Sequence, residues 1–314
     1  MKILITDGLD PAAVSILRRV HEVDVKELDP SGLLEAVSGY QALIVRSRTK
    51  VTKDVLARAG NLKVVGRAGV GVDNIDLEAA TARGIVVVNA PTASTVSVAE
   101  LAIGHMLSLY RHLPEADRSV KAGKWEKARL EGWELFDKTL GLIGSGRIGA
   151  EVAKRAQAFG MRVVSFDPYL PVPVAKSLGV RLVDKDTLLR DADVVSIHAA
   201  LTAETKGLIG AMDFSKMKRS AILVNCARGE IVQEAALADA LRSGTIAGAA
   251  IDVFEKEPPE GSPLLSAPNV HFTPHVGAST HEGQARAGTI VAEQVIRVLD
   301  GKRAEFIANP RVFR

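Results

Sequence analysis

The chain has 314 residues, of which 47% are apolar and 25% charged, with a formal net charge of +3. This length exceeds most single cores, so we expect two domains. The small charge argues against a nucleic-acid or membrane-surface partner, and the single cysteine, Cys226, excludes an internal disulfide and a multi-thiol metal site. Asp7 and Asp10 interrupt the first apolar run. We therefore expect no signal peptide or membrane span and a cytoplasmic protein.

The first ninety residues alternate short Val/Ile-rich runs with helical patterns. Continuous apolar runs are typical of strands covered on both faces of a parallel sheet. The predicted strands cover 3–5, 42–45, 63–66 and 85–88, and the predicted helices cover about 11–20, 31–38, 52–58 and 75–83. This order is a βαβ series.

A long helical pattern follows from Val96 to about Lys121. Its apolar residues occupy more than one face, so we expect it to pass through a domain junction or to pack on a second subunit. From Thr139 a second series begins. Its strands are predicted near 139–143, 162–166, 193–197, 220–224, 246–250 and 269–272, and its helices near 147–159, 172–178, 211–217, 230–243 and 283–299. The alternation predicts an α/β protein with two doubly wound parallel-sheet domains, Rossmann-like or flavodoxin-like.

Gly144, Gly146 and Gly149 separate the first strand of this second series from its helix. In a dinucleotide site the first glycine permits the tight turn, the second lets the backbone approach a pyrophosphate, and the third allows close helix–strand packing. The helix N-terminus offers N–H groups to phosphates. Asp167 ends the next strand, about 20 residues on, where a carboxylate accepts ribose hydroxyls and repels a 2′-phosphate. The pattern predicts an NAD site; the alternative is an ordinary glycine turn and a surface aspartate.

Three polar side chains that follow later strands are candidates for chemistry on a hydroxyl or carbonyl. Arg228 can bind a carboxylate through paired N–H donors while it polarises a carbonyl. His275 is the predicted proton carrier, and Gly277 leaves room for a ligand beside it. Glu257 precedes two prolines, which favour an extended backbone, and its carboxylate can orient and charge an imidazole. The alternatives are a surface arginine and a solvated acidic loop.

Other polar positions have weaker signals. His198 ends a predicted strand and is expected to line the cofactor cleft, whereas Cys226 is interpreted as a packed residue because no activating partner is visible. A glycine-rich turn after Arg67 is similar to an anion-binding turn, and with Arg46 it predicts an anion pocket. A structural turn and a solvated basic loop remain the alternatives. No cluster with metal-ligand spacing is present, so no metal is predicted.

Five ordered stretches together resemble the D-isomer-specific 2-hydroxy-acid dehydrogenases, and within them the D-3-phosphoglycerate dehydrogenase type. They are RAGVGVDNID (67–76), GLIGSGRIG (141–149), VNCARGEIV (224–232), AAIDVFEKEP (249–258) and TPHVGAST (273–280). The similarity runs almost end to end. The family's catalytic arginine, glutamate and histidine fall on Arg228, Glu257 and His275.

The resemblance implies reversible NAD-dependent oxidation of a D-2-hydroxy acid, with 3-phosphoglycerate as the expected substrate and serine biosynthesis as the expected role. The backbone at Gly69 and Val70 would share the substrate carboxylate, and Arg46 with Arg67 would face a distal phosphate. The further cofactor contacts implied are Arg147, Ile148, Ala199, Cys226, Ala227, Asp252 and Gly277. A hydroxypyruvate or glyoxylate reductase with the same three residues is the alternative enzyme. A non-catalytic NAD(H)-sensing corepressor is the alternative from another class.

The same resemblance implies a discontinuous domain organisation. Residues 1–95 with 284–314 would form the substrate-binding domain, and residues 96–283 would form the NAD-binding domain with a dimerisation helix. The expected assembly is a homodimer or homotetramer, with Lys127 and Arg129 placed to reach a partner. The expected form is a short one, without a C-terminal regulatory domain.

Overall fold

The computed structural model describes residues 1–313, which divide into two compact units. One unit contains Met1–Thr95 and the segment that begins at Ala278, and the other is Val96–Gly277. The predicted second boundary lay after residue 283. The structure assigns residues 278–283 to the first unit because they lead into its last helix, which Thr280 caps by accepting the Gly283 N–H at 3.0 Å.

The first unit contains one sheet of five parallel strands. The strands are β1 (Lys2–Ile5), β2 (Glu22–Val25), β3 (Ala42–Val45), β4 (Val64–Arg67) and β5 (Val86–Asn89), in the spatial order β2-β1-β3-β4-β5. This is the flavodoxin-like order. Strand β2 was not predicted, because it lies at the sheet edge and its acidic residues interrupt the apolar run.

Short polar residues start the helices of this unit. Helices α1 (Pro11–Arg18), α2 (Pro30–Ala36), α3 (Lys53–Arg58) and α4 (Leu77–Ala82) each follow an Asp or Thr whose side chain accepts a backbone N–H of the first turn. Such caps satisfy donors that have no partner within the helix. The last helix packs against β4 at Gly66, where a Cβ atom would lie 2.6 Å from Val291.

The second unit contains seven parallel strands. They are β6 (Thr139–Ile143), β7 (Arg162–Phe166), β8 (Arg181–Leu182), β9 (Val194–Ile197), β10 (Ile222–Asn225), β11 (Gly248–Ile251) and β12 (Val270–Phe272). Their spatial order is β12-β11-β10-β9-β6-β7-β8, so the order reverses between β6 and β9. Ligands of such sheets bind outside the carboxyl ends of the strands at this reversal. Both predictions of a doubly wound parallel sheet are therefore confirmed.

The predicted long helix after Val96 is wrong in one respect, because it is two helices. Helix α5 (Thr95–Tyr110) ends before His112, whose left-handed backbone (φ 51°) breaks the hydrogen-bond ladder, and Pro114 then lies in the first turn of α6 (Leu113–Lys121). Buried residues of α5, including Ala102 and Met106, pack in the core of this unit.

The remaining helices are α7 (Arg147–Ala158), α8 (Val172–Ser177), α9 (Lys185–Asp191), α10 (Ala211–Phe214), α11 (Glu234–Arg242) and α12 (His281–Leu299). The helix predicted over 230–243 is instead a 3₁₀ turn, Gly229–Ile231, followed by α11. Strand β8 was missed because its two residues are too few to show a period, and helix α9 was not predicted either. No helix within residues 1–313 is long and apolar enough to cross a bilayer.

Candidate active site

Gly144, Gly146 and Gly149, in the turn after β6 and the first turn of α7, differ in what a Cβ atom would meet. Gly144 has a left-handed backbone (φ 87°), and a Cβ there would lie 2.9 Å from the Ala199 nitrogen. A Cβ on Gly149 would lie 2.3 Å from the Gly144 carbonyl oxygen, so this glycine lets α7 approach the turn. A Cβ on Gly146 would meet no protein atom within 4 Å. The turn therefore has an open cradle at its centre, where a pyrophosphate is predicted.

Asp167 follows β7 and is hydrogen-bonded to the glycine turn. Its Oδ2 accepts the Ser145 N–H at 2.8 Å, and its Oδ1 accepts the Tyr169 N–H at 3.0 Å. A carboxylate oxygen accepts two hydrogen bonds, so each retains a lone pair for a ribose hydroxyl. The acid is thus held in position by the backbone of the turn.

A cavity of about 520 Å³ opens at the carboxyl ends of β6, β7 and β9. Its volume is within the range of small-molecule sites. Its lining includes Gly144, Phe166, Asp167, Pro168, His198, Ala199, Ala200 and Leu208. An open cradle for a pyrophosphate beside an apolar cavity with a carboxylate at its wall fits the two parts of an adenine dinucleotide.

His198 lines the wall of this cavity, and its contact with a cofactor remains a prediction. Its Nε2 lies 2.8 Å from the Ser196 hydroxyl, and its Nδ1 is buried without a hydrogen-bond partner within residues 1–313. Burial lowers the pKa of His198 to about 4. The ring therefore shapes the cavity and does not carry protons at neutral pH.

His275 and Glu257 form a hydrogen-bonded pair. His275 Nδ1 lies 2.7 Å from Glu257 Oε2, and the two side chains are 49% and 39% exposed, so both are accessible to a ligand. The hydrogen bond to Glu257 raises the pKa of His275 above its ordinary value, against the opposing effect of burial. Burial would raise the pKa of Glu257, but the hydrogen bond and charge of His275 outweigh it and lower that pKa. The pair therefore favours an imidazolium beside a carboxylate.

The backbone of His275 is left-handed (φ 52°), a conformation that costs a non-glycine residue about 1–2 kcal/mol. Buried Asp252, directly after β11, holds it there. The Asp252 carbonyl accepts the His275 N–H at 2.8 Å, and its carboxylate accepts the N–H groups of Val276 at 2.8 Å and Gly277 at 2.9 Å. Thr273 adds a hydroxyl donor at 2.5 Å. Asp252 therefore acts on the loop that carries His275, a role the predicted cofactor contact did not include.

The structure requires glycine at position 277 for a different reason from the one predicted. A Cβ there would lie 3.0 Å from the Asp252 carboxylate and 3.3 Å from Val98. The missing side chain lets the loop close on Asp252 and α5, and it does not leave room for a ligand on that side.

Arg228 lies in a turn that Asn225 organises at the end of β10. The Asn225 side chain accepts the Ala227 N–H at 3.0 Å and donates to the Arg228 carbonyl at 2.9 Å. A Cβ on Gly229 would lie 1.9 Å from the Phe254 carbonyl carbon, and the Phe254 N–H donates to Glu257 at 3.2 Å. The Arg228 turn is thus packed on the segment that leads to Glu257, before the cis Glu257–Pro258 bond.

Electrostatics also place these three side chains together. The hydrogen bond and charge of His275 are the main causes of the lowered pKa of Glu257, and the positive charge of Arg228 adds to them. The same positive charge offsets a small part of the rise in the pKa of His275 that Glu257 causes. A cation, an imidazole and a carboxylate thus meet at the carboxyl ends of β10, β11 and β12. This arrangement can bind an anion, polarise a carbonyl and transfer a proton.

The other predicted cofactor-binding residues of this unit differ in their exposure to solvent. Cys226 is buried, and burial raises the pKa of its thiol, so it is a neutral packed residue as expected. Arg147 is exposed at the start of α7, whereas Ile148 packs partly on the core. Ala227 accepts a hydrogen bond from the Arg228 guanidinium through its carbonyl at 2.7 Å.

In the first unit, Asp7 fixes the loop after β3. Its carboxylate accepts the N–H groups of Arg46 at 2.7 Å and Thr49 at 3.0 Å, and it pairs with Arg48 at 3.3 Å. Arg46 lines a cavity of about 660 Å³ with Gly8, Leu9, Asp10 and residues 279–282. The loop therefore presents Arg46 to a space that can hold a ligand.

The backbone groups of Gly69 already have hydrogen-bond partners within this turn. The Gly69 N–H already donates to the Arg67 carbonyl at 2.8 Å, and the Gly69 carbonyl accepts the Ala90 N–H at 2.9 Å. The Val70 carbonyl accepts the Asn89 side chain at 2.6 Å. Gly69 therefore shapes this turn, and the contacts of the Gly69 and Val70 backbone with a substrate carboxylate remain predictions.

Sequence reasoning missed the residues that organise the site. They are Asp7, Asn225 and Thr273, together with Tyr169 and Glu204 at the nucleotide cavity. For Asp7, Asn225 and Thr273 the available signal was a short polar residue at or just after the end of a buried strand, a position from which a side chain can hydrogen-bond the following turn.

The fold and site define a dinucleotide-binding α/β protein with an acid–base pair beside a cation. Residues 103–277 match the model of the family described as D-isomer specific 2-hydroxyacid dehydrogenase, NAD binding domain. The chain belongs to this family.

Similar proteins cover almost the whole chain. D-3-phosphoglycerate dehydrogenase of Methanocaldococcus jannaschii is 54% identical over 98% of this chain and 59% of that protein. The Archaeoglobus fulgidus protein of the same name is 51% identical over 96% and 58%. This chain therefore spans somewhat more than half the length of these relatives. A Thermus thermophilus protein of known structure has a TM-score of 0.90 and 39% identity, over 98% of this chain and 100% of that one.

Proposed function

We propose that this chain catalyses the reversible NAD-dependent oxidation of a D-2-hydroxy acid, with 3-phosphoglycerate and 3-phosphohydroxypyruvate as the substrate pair. The observation that carries the activity is the hydrogen-bonded His275–Glu257 pair beside Arg228, in the same unit as the glycine turn. The names of the relatives support the choice of substrate and a role in serine biosynthesis.

NAD⁺ supplies the acceptor for the hydride that leaves the substrate carbon. The turn from Gly144 to Gly149 would hold its pyrophosphate, and Asp167 would hold the adenosine ribose. Arg228 binds the substrate carboxylate and stabilises the developing carbonyl oxygen through its N–H donors.

The geometry of the His275–Glu257 pair identifies the nitrogen that accepts the substrate proton. Because Nδ1–H of His275 donates to Glu257, Nε2 of the neutral ring is the acceptor that faces away from the carboxylate. Nε2 removes the hydroxyl proton during oxidation, and Glu257 stabilises the imidazolium that forms. In the reductive direction the same imidazolium returns the proton to the oxygen. The raised pKa of His275 favours this protonated form.

The glycine turn allows a matched test of the cofactor site. Gly149→Ala is expected to lower the free energy of unfolding by about 1–3 kcal/mol, because its Cβ would overlap the Gly144 carbonyl. Gly146→Ala is expected to change stability by less than about 1 kcal/mol, since no protein atom is near, yet to raise the Kd of NADH about tenfold or more. Urea denaturation and NADH fluorescence titration measure the two effects. If Gly146→Ala bound NADH with wild-type affinity, the pyrophosphate would not bind at this cradle.

A substitution of Arg46 tests whether the substrate carries a phosphate. Arg46→Ala is expected to lower kcat/KM for 3-phosphoglycerate about 10- to 100-fold, the loss of a hydrogen bond between charged groups, with little change for unphosphorylated D-glycerate. Arg58→Ala, an exposed arginine at the end of α3, is the control. A panel that includes glyoxylate and hydroxypyruvate, run with NAD(H) and NADP(H), completes the assay. An equal loss on both acids would count against a phosphate at Arg46, and turnover of glyoxylate alone would overturn the assigned substrate.

A homodimer or homotetramer is part of this proposal. The segment around α6 exposes Leu113, Val120, Trp125, Trp133 and Phe136. Several large apolar side chains exposed within one segment favour a protein–protein interface there. The segment also contains Lys127 and Arg129, the residues expected to reach a partner.

A further inference from the structure

Two side chains at the mouth of the nucleotide cavity are not explained by the mechanism. Tyr169 lies two residues beyond Asp167 and is 79% exposed, although it is aromatic. Its hydroxyl donates to Glu204 Oε2 at 2.8 Å. Both residues line the cavity that contains Gly144 and Asp167. An exposed aromatic ring on the rim of an otherwise apolar cavity is a feature that a bound ligand would explain.

The two residues come from opposite sides of the switch point. Tyr169 follows β7, whereas Glu204 lies in the loop after β9. The Tyr169 backbone is tied to Asp167 through its N–H at 3.0 Å, and its hydroxyl is tied to Glu204. The ring therefore bridges the two walls of the cavity.

The loop that carries Glu204 is braced by its own side chains. Thr205 Oγ1 donates to the Ala200 carbonyl at 2.7 Å and accepts the Thr202 N–H at 2.8 Å. These bonds close a compact turn next to Glu204. The backbone of Glu204 is thus held in a defined turn, and the hydrogen bond that its carboxylate accepts raises the pKa of the Tyr169 hydroxyl.

We infer that Tyr169 and Glu204 form a clasp over the adenosine end of the cavity, and that Glu204 is a second carboxylate that selects NAD(H) against NADP(H). The inference rests on the proposed NAD site and adds two residues to it. The Tyr169 ring covers the nucleoside, and its hydrogen bond to Glu204 slows release. Because Asp167 and Glu204 both carry negative charge at this cavity, a 2′-phosphate meets repulsion from two walls.

Equilibrium and stopped-flow binding of NADH and NADPH test the clasp without any substrate. Glu204→Gln keeps an oxygen acceptor for Tyr169 but removes the charge, so the Kd of NADPH is expected to fall about tenfold while the Kd of NADH stays within about twofold. Tyr169→Phe keeps the ring but loses the hydrogen bond. Its NADH dissociation rate is expected to rise about three- to tenfold, with the discrimination between cofactors retained.

Each variant has a matched control in the first unit. Tyr40→Phe removes another phenol–carboxylate hydrogen bond, from Tyr40 to Asp24 at 2.5 Å, and Glu35→Gln removes an exposed carboxylate. Neither is expected to change cofactor binding. Thermal unfolding of all four variants identifies any loss of fold.

The outcomes separate this inference from the proposed function. An unchanged NADPH-to-NADH ratio in Glu204→Gln, or unchanged NADH release in Tyr169→Phe, overturns the clasp while the enzyme assignment stands. Wild-type protein that binds NADH but fails to oxidise 2-hydroxy acids overturns the assigned activity and leaves the clasp intact. Wild-type protein that binds no NADH overturns both.

Discussion

Replacing His275 with alanine is expected to lower kcat for 2-hydroxy-acid oxidation about 10³-fold, within the range attributed to a positioned general base. The Kd of NADH is expected to change by less than about threefold, because His275 contacts Glu257 and Asp252 and lies outside the glycine turn. Steady-state turnover in both directions, with fluorescence titration of NADH on the same preparation, measures the two quantities.

A second variant distinguishes the loss of the general base from a disruption of the loop that carries it. His275→Asn is expected to be as inactive as the alanine variant, although asparagine tolerates the left-handed backbone found there. His271→Gln is the control, since His271 lies in β12 but faces Ser108 at 3.4 Å. Turnover of either His275 variant within about tenfold of wild type would remove the residue from its role as general base.

Much of the architecture was predictable because parallel strands have a simple signature. The buried runs of β3 and β6 have no polar alternation, and the helices between such runs fix a crossover topology. Elements without such a signature were missed. Strand β2 is a half-exposed edge with two acids, and β8 has only two residues.

The break between α5 and α6 shows a second limit. Pro114 is compatible with the first turn of a helix, so its presence alone does not locate a boundary. The boundary is fixed by the left-handed His112, whose conformation depends on the surrounding structure. Local pattern therefore predicted helix on both sides but not the interruption.

At the site, features that depend on local steric rules were predicted from the sequence better than roles that depend on long-range contacts. The turn at Gly144 and the close packing at Gly149 follow from a motif confined to six residues. Gly277 was misinterpreted because its neighbour is Asp252, 25 residues away in sequence. The Tyr169–Glu204 contact spans 35 residues and had no sequence signal at all.

The left-handed conformation of His275 depends both on local steric rules and on a long-range contact. A histidine after a proline does not by itself indicate a positive φ, which is uncommon in every residue other than glycine. The conformation is held by a buried carboxylate that receives two backbone N–H groups and a hydroxyl from the same loop. Asp252 is therefore as important to the position of the imidazole as Glu257 is to its charge.

In the proposed mechanism, Glu257 sets the pH range in which His275 acts. Glu257→Gln keeps a hydrogen-bond acceptor near Nδ1 but removes the negative charge, so the pKa of His275, which Glu257 raises, is expected to fall. Oxidation needs the neutral imidazole, so the acidic limb of its pH profile moves to lower pH in the variant. Reduction needs the protonated imidazole, so its rate is lost at a lower pH than in the wild type.

The same substitution is expected to lower the maximal kcat of oxidation about 10- to 100-fold, because the imidazolium formed in the transition state loses a hydrogen bond between charged groups. Full pH profiles of kcat in both directions measure the limb positions. Glu260→Gln removes an exposed carboxylate from the same loop and serves as the control. If the limbs of Glu257→Gln stay at their wild-type pH while those of His275→Asn are absent, His275 titrates without help from Glu257. The carboxylate would then only orient the ring.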